Sequence, residues 1–441
     1  MAYSNYLIES DALSFPAIQE AINRLLLDGL DVRLTPVSRN QALIRRHILD
    51  AISAQYGIDP FLYLQSNGLR FDKAAAITDD DALALLAHRA ASELDARPDL
   101  VVAPVGGVQW HLANINVPHA WALMGGPDRI AWACKVGQID TGYLRHPALG
   151  YVGGASSWLL EAECRNFYSP NSNSSNEPGG PSGEDPRSGP NWGHGMRIGA
   201  TISGWHPGGD TGSTFYGCAP RVPHVMVRIS NSVIFSDQLA AFADALDYLV
   251  DRAGVDVVNV SMATFPPYLS PRARRAVNNA FEKGVILVCA GGQCVTRVLA
   301  PASYGRTIAV GGTTSKDQVW ANASLGPQID WSAPAAEIRR ATIESESGPF
   351  VYRDYGDGTS YATALSTGVA ALWLTHQQAQ IARHYGKTWM RVCAFKQIAK
   401  ATARRPGVWG PDVAGTGILD ALALLTAPLP DAGALVKEGP V

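Results

Sequence analysis

The stretch Gly358-Thr359-Ser360-Tyr361-Ala362 places a serine directly after a glycine-flanked turn, at the start of a predicted helix. Two comparable turns precede it in the chain, Asp140-Thr141-Gly142 and Gly193-His194-Gly195. An acid, a base and a nucleophile therefore follow one another in the order Asp, His, Ser. Unrelated folds that build such a trio differ in this order, so the order carries information about the fold as well as about the chemistry.

From about residue 101 onward, short apolar runs alternate with helical patterns, which is typical of a parallel sheet with helices on both faces. The predicted strands are Ala131–Ile139, His224–Arg228, Val255–Val260, Val285–Cys289 and Thr307–Val310. The predicted helices are His194–Ser203, Ser236–Ala253, Ser270–Lys283, Ser360–His376 and Thr388–Lys400. Chemistry in such sheets collects at the carboxyl ends of the strands. Asp140 at a strand end and His194 and Ser360 at helix starts are therefore placed for one shared site.

Residues 1–100 have a different texture and predict a small, largely helical α+β domain. Helical spacing occurs at Phe15–Leu27, Ala42–Tyr56 and Asp81–Leu94, with a strand candidate at Leu30–Leu34. A boundary is predicted at Arg97-Pro98-Asp99, so that residues 101–427 form the large domain. Residues 428–441 contain several prolines and are predicted to form a flexible tail.

Composition narrows the choice of partners and compartments. The net charge is −3, and the sequence contains neither a basic run nor an apolar run long enough to span a bilayer. Neither nucleic acid nor a membrane is therefore expected as a partner. The first residues do not resemble a signal peptide, which predicts a cytoplasmic protein unless a signal has been lost. Six cysteines without Cys-x-x-Cys spacing predict buried, reduced thiols and no zinc site.

The motifs together resemble those of the subtilisin-like serine peptidases, the subtilases, over roughly residues 108–425. The matching segments are Ile139–Gly142, Gly193–Gly199, Gly217–Pro220, Val258–Met262 and Gly358–Ala371. The resemblance implies an α/β fold, a three-layer, doubly wound and mostly parallel sheet. It also implies a catalytic triad of Asp140, His194 and Ser360. Taken singly, each of the three residues has a purely structural alternative, such as capping a turn or a helix.

The triad chemistry predicts a serine endopeptidase that forms an acyl-enzyme on Ser360. His194 accepts the serine proton, and Asp140 orients the imidazole. A dedicated processing protease is one reading of this activity, and acyl transfer by the same triad is another. The rival hypothesis is a weak or inactive subtilase fold that acts as a peptide-binding or docking module.

The oxyanion hole departs from the family pattern. Subtilases have Ala-Ala-Gly-Asn where this chain has Cys289-Ala290-Gly291-Gly292-Gln293. Either Gly292 holds the asparagine position and the side-chain donor is missing, or a local shift lets Gln293 present its amide. Loss of such a donor costs about 10²–10³ in kcat.

The resemblance also predicts where a peptide binds. Ser261, Met262 and Ala263 match the strand that pairs with an extended substrate by β-augmentation. Together with Ala290 and Gly291 they predict an uncharged primary pocket, which favours a small or apolar residue before the scissile bond. Two neighbouring residues are unusual for the family. Gln138 needs a hydrogen-bond partner if it is buried, and Arg197 is expected to face solvent.

Three further expectations come from the family. Residues 1–100 have the size and position of a propeptide that occupies the cleft, and a retained regulatory or docking domain is the alternative. The substrate is expected to be a peptide or a protein. The chemistry requires no cofactor, and a structural calcium ion has only Glu184 and Asp185 as suggested ligands.

Overall fold

The computed structural model describes most of the chain from residue 109 onward. The described residues are 109–168, 183–187, 190–206, 214–345, 347–407, 409 and 414–441, with residue 49 and four strands near the N-terminus. Those strands are β1 (Asn5–Glu9), β2 (Thr35–Ser38), β3 (Gln41–Arg45) and β4 (Arg70–Phe71).

The four N-terminal strands form one antiparallel sheet in the order β2-β3-β1-β4. The helix predicted to begin at Ala42 is therefore wrong at its start, because residues 42–45 pair with β1 in a regular antiparallel register. A short apolar run fits either element, and here its sheet partners decide. The helices predicted at Phe15–Leu27 and Asp81–Leu94, the strand at Leu30–Leu34 and the boundary at 97–99 lie outside the described residues.

Seven parallel strands form the centre of the large domain, in the order β13-β12-β11-β10-β5-β9-β6. They are β5 (Val136–Asp140), β6 (Arg165–Asn166), β9 (His224–Arg228), β10 (Val257–Val260), β11 (Ile286–Ala290), β12 (Ile308–Thr313) and β13 (Trp331–Pro334). Two further pairs are antiparallel: β7 (Trp205–His206) with β8 (Phe215–Tyr216), and β14 (Ile338–Ile343) with β15 (Phe350–Gly356). The five predicted strands are all present, and β9 has the predicted bounds.

Helices cover both faces of the parallel sheet, which confirms the three-layer α/β architecture. They are α1 (Trp110–Asn114), α2 (Val117–Leu123), α3 (His194–Ser203), α4 (Leu239–Asp251), α5 (Pro271–Glu282), α6 (Thr359–His376), α7 (Gln378–His384), α8 (Trp389–Thr402) and α9 (Ala421–Thr426). Helix α3 has the predicted bounds, and α6 begins one residue early. None of the helices in the described part of the chain is long and apolar enough to cross a bilayer.

Alternating side chains of the strands feed two separate cores. On one face, Val257 and Val288 join α6, α8 and α9. On the other face, Val258 and Leu287 join α4 and α5. Because both faces are covered, the strands are mostly apolar on both faces rather than alternating, as is usual for parallel sheets. The order of the strands also creates a crevice. Strands β6 and β9 lie on one side of β5, and β10 to β13 lie on the other, so the carboxyl ends of β5 and β10 flank a topological switch point.

The C-terminal residues 428–441 are held against the large domain, so the prediction of a flexible tail is wrong. Arg306 donates to the carbonyl oxygens of Glu438 and Gly439 at 3.0–3.2 Å, and the Val441 N–H donates to Asn278 Oδ1 at 3.0 Å. Leu435 is buried in the core that contains α6. Proline content is a poor guide here, because arginine and asparagine side chains of the large domain satisfy the tail's backbone.

Candidate active site

The Asp140 carboxylate is fully buried at the end of β5 and accepts three hydrogen bonds. Oδ1 accepts from His194 Nδ1 at 2.7 Å and from the Thr141 N–H at 2.7 Å. Oδ2 accepts from Gln138 Nε2 at 3.2 Å. A carboxylate without a proton only accepts, so Nδ1 is the nitrogen of His194 that carries hydrogen and Nε2 is left as an acceptor.

His194 is the first residue of α3 and Ser360 the second residue of α6, and each helix follows a glycine with positive φ. Gly193 has φ +73° before α3, and Gly358 has φ +145° before α6, which are conformations that other residues rarely adopt. The imidazole Nε2 lies 3.2 Å from Ser360 Oγ. The three residues predicted from sequence are therefore joined in one hydrogen-bonded row, Asp140 to His194 to Ser360, above the switch point of the sheet.

The serine hydroxyl has a second acceptor. Ser360 Oγ lies 3.1 Å from the carbonyl oxygen of Ser261, and Ser261 Oγ donates to the carbonyl oxygen of Ser360 at 2.9 Å. A hydroxyl has one proton, so Ser360 donates either to His194 or to Ser261 at any moment. The first residue after β10 is thus coupled to the nucleophilic residue in both directions.

Gln293 is adjacent to the serine, and Gly292 has no room for a side chain. Gly292 has φ +107°, and a Cβ there would lie 2.7 Å from Leu299 Cγ and 2.9 Å from Ser324 Oγ. Gln293 Oε1 accepts from the Thr359 N–H at 3.0 Å, at the N-terminus of α6. The side-chain oxygen of Gln293 is therefore bonded to the backbone one residue before Ser360, and whether the amide N–H₂ group serves an oxyanion stays a prediction.

The predicted peptide-pairing strand is occupied by the chain itself. The Ala263 N–H donates to the carbonyl oxygen of Val233 at 2.9 Å, and the Phe235 N–H donates to that of Ala263 at 3.0 Å. Ser261, Met262 and Ala263 are all buried. We call this contact between residues 233–235 and Ala263 the closed edge. A substrate that pairs with Ala263 has to displace it.

The predicted pocket walls are also internal. Ala290 is buried, the Gly291 N–H donates to Val310 O at 2.9 Å, and Gly291 O accepts from the Leu299 N–H at 2.9 Å. A Cβ on Gly291 would lie 2.5 Å from Ile329 Cδ1. The backbone groups of Gly291 that a substrate would need are thus already paired within the protein.

Two unusual residues flank the imidazole. Gln138 is fully buried and, as predicted, has partners: Nε2 donates to the Gly195 carbonyl oxygen at 2.9 Å as well as to Asp140. Arg197, expected in solvent, is half-buried one turn along α3 from His194. Burial lowers the pKa of Arg197, and the nearby charge of Arg340 lowers it further.

The suggested calcium ligands point to different partners. The Asp185 carboxylate accepts from the Gly193 N–H at 2.6 Å, the Arg187 N–H at 2.8 Å and the Thr141 hydroxyl at 3.1 Å. Glu184 instead pairs with Arg145 at 3.7 Å. Across the described ranges, no group of three His, Cys, Asp or Glu side chains could hold a metal ion. These residues do not fit the calcium suggestion. The six cysteines are all buried and form no disulfide bonds, as predicted.

Sequence reasoning missed the part that Asp185 and Thr141 play around the site. Asp185 lies in a polar stretch with no helical or strand pattern, and no local motif links it to His194. The threonine of the Asp-Thr-Gly turn is a usable signal, because a hydroxyl beside a catalytic acid needs a partner when it is buried.

The sequence matches the profile described as the Subtilase family over residues 133–419. The chain belongs to the subtilase family of serine proteases. It is 28% identical over 267 residues to the minor extracellular protease Epr of Bacillus subtilis strain 168, covering 60% of this chain but only 35% of Epr. It is 26% identical over 348 residues to the M-protease of Shouchella clausii strain KSM-K16, covering 78% of this chain and 76% of that protein.

A solved structure gives the same fold. The crystal structure of MycP1 with its N-terminal propeptide removed superposes with a TM-score of 0.53 at 21% identity, covering 73% of this chain and 98% of MycP1. At this identity the similarity concerns the architecture alone. It agrees with the seven-stranded parallel sheet and flanking helices of this subtilase.

Proposed function

We propose that this subtilase is a serine endopeptidase that forms an acyl-enzyme on Ser360. The observation that carries the proposal is the continuous hydrogen-bonded row, with 2.7 Å between Asp140 Oδ1 and His194 Nδ1 and 3.2 Å between His194 Nε2 and Ser360 Oγ. A fold kept only for docking has no need of all three groups in this register.

In the proposed reaction, His194 Nε2 takes the Ser360 hydroxyl proton while Oγ bonds to the carbonyl carbon of the scissile peptide. The tetrahedral intermediate collapses as the imidazolium returns that proton to the leaving amine, which leaves an ester on Ser360. A water molecule then gives its proton to Nε2 and attacks the ester, and Oγ recovers the proton as the acid product departs. Asp140 stays ionised and holds the imidazole in the required tautomer. No cofactor enters these steps.

The oxyanion is proposed to form between the Ser360 N–H and the side-chain amide of Gln293. The bond from Thr359 N–H to Gln293 Oε1 supports this assignment, because it orients the amide group at the N-terminus of α6 beside the serine. The positive end of the helix dipole favours negative charge at the same place. Gln293 would then supply the side-chain donor that an asparagine supplies in other subtilases, since position 292 has no room for a side chain.

The substrate is proposed to be an extended peptide or an unfolded part of a protein, with a small or apolar residue before the scissile bond. The uncharged side chains of Ser261–Ala263, Ala290 and Gly291 support this preference. The closed edge has to open before such a peptide pairs with Ala263.

Residues 1–100 are proposed to act as a propeptide or regulatory domain. MycP1, which shares the fold, is a protein whose N-terminal propeptide was removed for its crystal structure. In this chain the proposal rests on the size and position of the segment, and intramolecular inhibition of the cleft would be its purpose. A cytoplasmic location stays a prediction from the N-terminal sequence.

The alternative function is a peptide-docking subtilase fold with little or no activity. The replacement of asparagine by Gly292 and the closed edge are the observations that favour it.

Covalent labelling with a fluorophosphonate separates the two functions. The reagent bonds only to an activated serine, so intact mass should show one adduct on the wild-type chain and none on Ser360→Ala. A folded wild-type chain that takes up no adduct, even after proteolytic removal of residues 1–100, would refute the peptidase proposal and leave the docking role.

A further inference from the structure

The segment Gly183–Arg187 passes directly behind both the Asp140 turn and the His194 turn. The Tyr143 N–H donates to Gly183 O at 3.0 Å, and the Asp185 N–H donates to Tyr143 O at 2.8 Å. A Cβ on Gly142 would lie 2.6 Å from Gly183 O, and a Cβ on Gly195 would collide with Gly142 O. Three backbone segments are therefore in direct contact, and two of them carry members of the triad.

Within this contact, the carboxylate of Asp185 is buried, with 3% of the residue exposed. Its Oδ2 accepts from the Gly193 N–H at 2.6 Å and from the Thr141 hydroxyl at 3.1 Å. Thr141 Oγ1 in turn accepts from the Gly195 N–H at 3.0 Å. Asp185 Oδ2 is thus hydrogen-bonded directly to Gly193, the residue before His194. Through the Thr141 hydroxyl it is also linked to Gly195, the residue after His194.

A purely local role explains only part of this pattern. The bond from the Arg187 N–H to Oδ1 at 2.8 Å closes a turn two residues along the chain, which is a common use of aspartate in loops. Oδ2 does not serve that turn. It bridges two segments far apart in sequence, and each of its partners neighbours a triad residue. An ionised carboxylate is costly to bury unless several hydrogen-bond donors compensate it. Here two of the donors, the Gly193 N–H and the Thr141 hydroxyl, belong to the turns that carry His194 and Asp140.

We propose that Asp185 is a positioning residue that holds the His194 imidazole in register with the Asp140 carboxylate. It touches neither substrate nor the reacting atoms, and it acts through Gly193 and Thr141. The proposal rests on the peptidase function proposed above, because it concerns the same triad.

The first test compares Asp185→Asn with Glu184→Gln in the full chain. Each removes one carboxylate, but Glu184 is half-exposed and its carboxylate pairs with Arg145 at the surface. Asparagine keeps the size of the side chain and presents an N–H₂ group toward donors that need an acceptor. The rate of fluorophosphonate labelling should fall about 10- to 100-fold in Asp185→Asn, because small displacements of a catalytic base carry losses of this size. Glu184→Gln should label at the wild-type rate.

A second variant guards against a simple loss of folding. Thr141→Val keeps the buried carboxylate and its bond to the Gly193 N–H but removes both hydrogen bonds of the Thr141 hydroxyl, to Asp185 and to Gly195, so it should slow labelling less than Asp185→Asn. In the double variant the two losses should combine to less than their product, because both act through one network. Urea unfolding confirms that the compared chains are folded.

A readout independent of activity is the proton NMR signal of His194 Nδ1–H. A short hydrogen bond to a carboxylate moves this signal far downfield. Ser360→Ala should retain it, and Asp185→Asn should shift or lose it while folded. If wild type takes up no label even after proteolytic removal of residues 1–100, the peptidase function fails, and the NMR comparison still decides the role of Asp185. The positioning role would be overturned if folded Asp185→Asn had the same labelling rate and the same His194 proton signal as Glu184→Gln.

Discussion

The triad and the closed edge lie within a few residues of each other, yet the structure prepares them in opposite ways. Asp140, His194 and Ser360 stand at hydrogen-bonding distances with their turns fixed by buried partners. Ala263, which is proposed to bind the substrate backbone, is already paired with Val233 and Phe235. The chemistry is preorganised and the peptide site is not. For the proposed peptidase, this difference makes opening of the closed edge, rather than assembly of the triad, the step that governs substrate access.

The largest expected effect is a loss of stability of the folded protein in acid. Burial lowers the pKa of His146 to about 4 and of His224 to about 3. Burial also lowers the pKa of His111 to about 3, helped by Arg339. Because the unfolded chain binds protons near the ordinary histidine pKa of 6.5 and the folded chain does not, stability is full above that pH and falls as the pH drops toward the folded pKa values. At pH 5 each histidine should cost about 2 kcal/mol.

Urea unfolding at pH 6.5 and pH 5 measures this loss. His224→Gln should reduce the pH dependence, whereas His376→Gln, at an exposed position on α6, should leave it unchanged. The closed edge has no titratable side chain in residues 233–235 or 261–263 and should not contribute. A free energy of unfolding that is flat over this range would contradict the prediction.

The second prediction concerns the oxyanion. Gln293→Leu should lower kcat by about 10²–10³ and leave KM nearly unchanged, because the amide is proposed to bond to charge that forms only in the transition state. Hydrolysis of a quenched-fluorescent peptide library measures both constants. Gln328→Leu, at an exposed glutamine of the same domain, is the matched control. Equal kcat in the two variants would remove Gln293 from the mechanism.

The third prediction tests the buried amide beneath the triad. Gln138→Met keeps the length of the side chain but removes the donor to Asp140 Oδ2 and to the Gly195 carbonyl oxygen. We expect kcat to fall about tenfold, the equivalent of one net hydrogen bond, with KM unchanged. The same assay decides it, and a fall in stability without any change in kcat would show a role in the fold alone.

The smallest expected effect opens the closed edge. Ile234 is half-exposed between the two residues that bond to Ala263. Ile234→Gly makes ordering of this segment less favourable by about 1 kcal/mol. The state open to substrate then gains population, and KM should fall about fivefold at constant kcat. Val152→Gly, on an exposed loop, is the control. An unchanged KM would show that residues 233–235 do not compete with substrate.

Much of the sheet can be predicted from sequence because its signals are local. Continuous apolar runs mark the strands, and the predicted bounds of His224–Arg228 and His194–Ser203 match the structure to the residue. The rule that sites gather at strand carboxyl ends is enough to bring Asp140, His194 and Ser360 together without any distance being known.

The features that sequence reasoning misses depend on contacts between distant segments. Only the structure shows that Gln293 bonds to the Thr359 N–H, and only the register of Val233 with Ala263 shows that the edge is closed. In residues 42–45 an apolar run suits both helix and strand, and pairing with β1 decides it. The side chains of Arg306 and Asn278 likewise hold the C-terminal tail, which its prolines predict to be flexible.

In the proposed function, peptide binding at the closed edge is an exchange of hydrogen-bond partners. Each backbone hydrogen bond that a substrate forms with Ala263 replaces one that Val233 or Phe235 already made, so the number of such bonds does not rise. Backbone pairing, which every extended polypeptide offers equally, then contributes little to affinity. The net free energy must come from side chains that fit the cleft, and a chain without them is left uncut. A protease built this way discriminates among substrates by their side chains, because backbone pairing adds little to the binding of any of them.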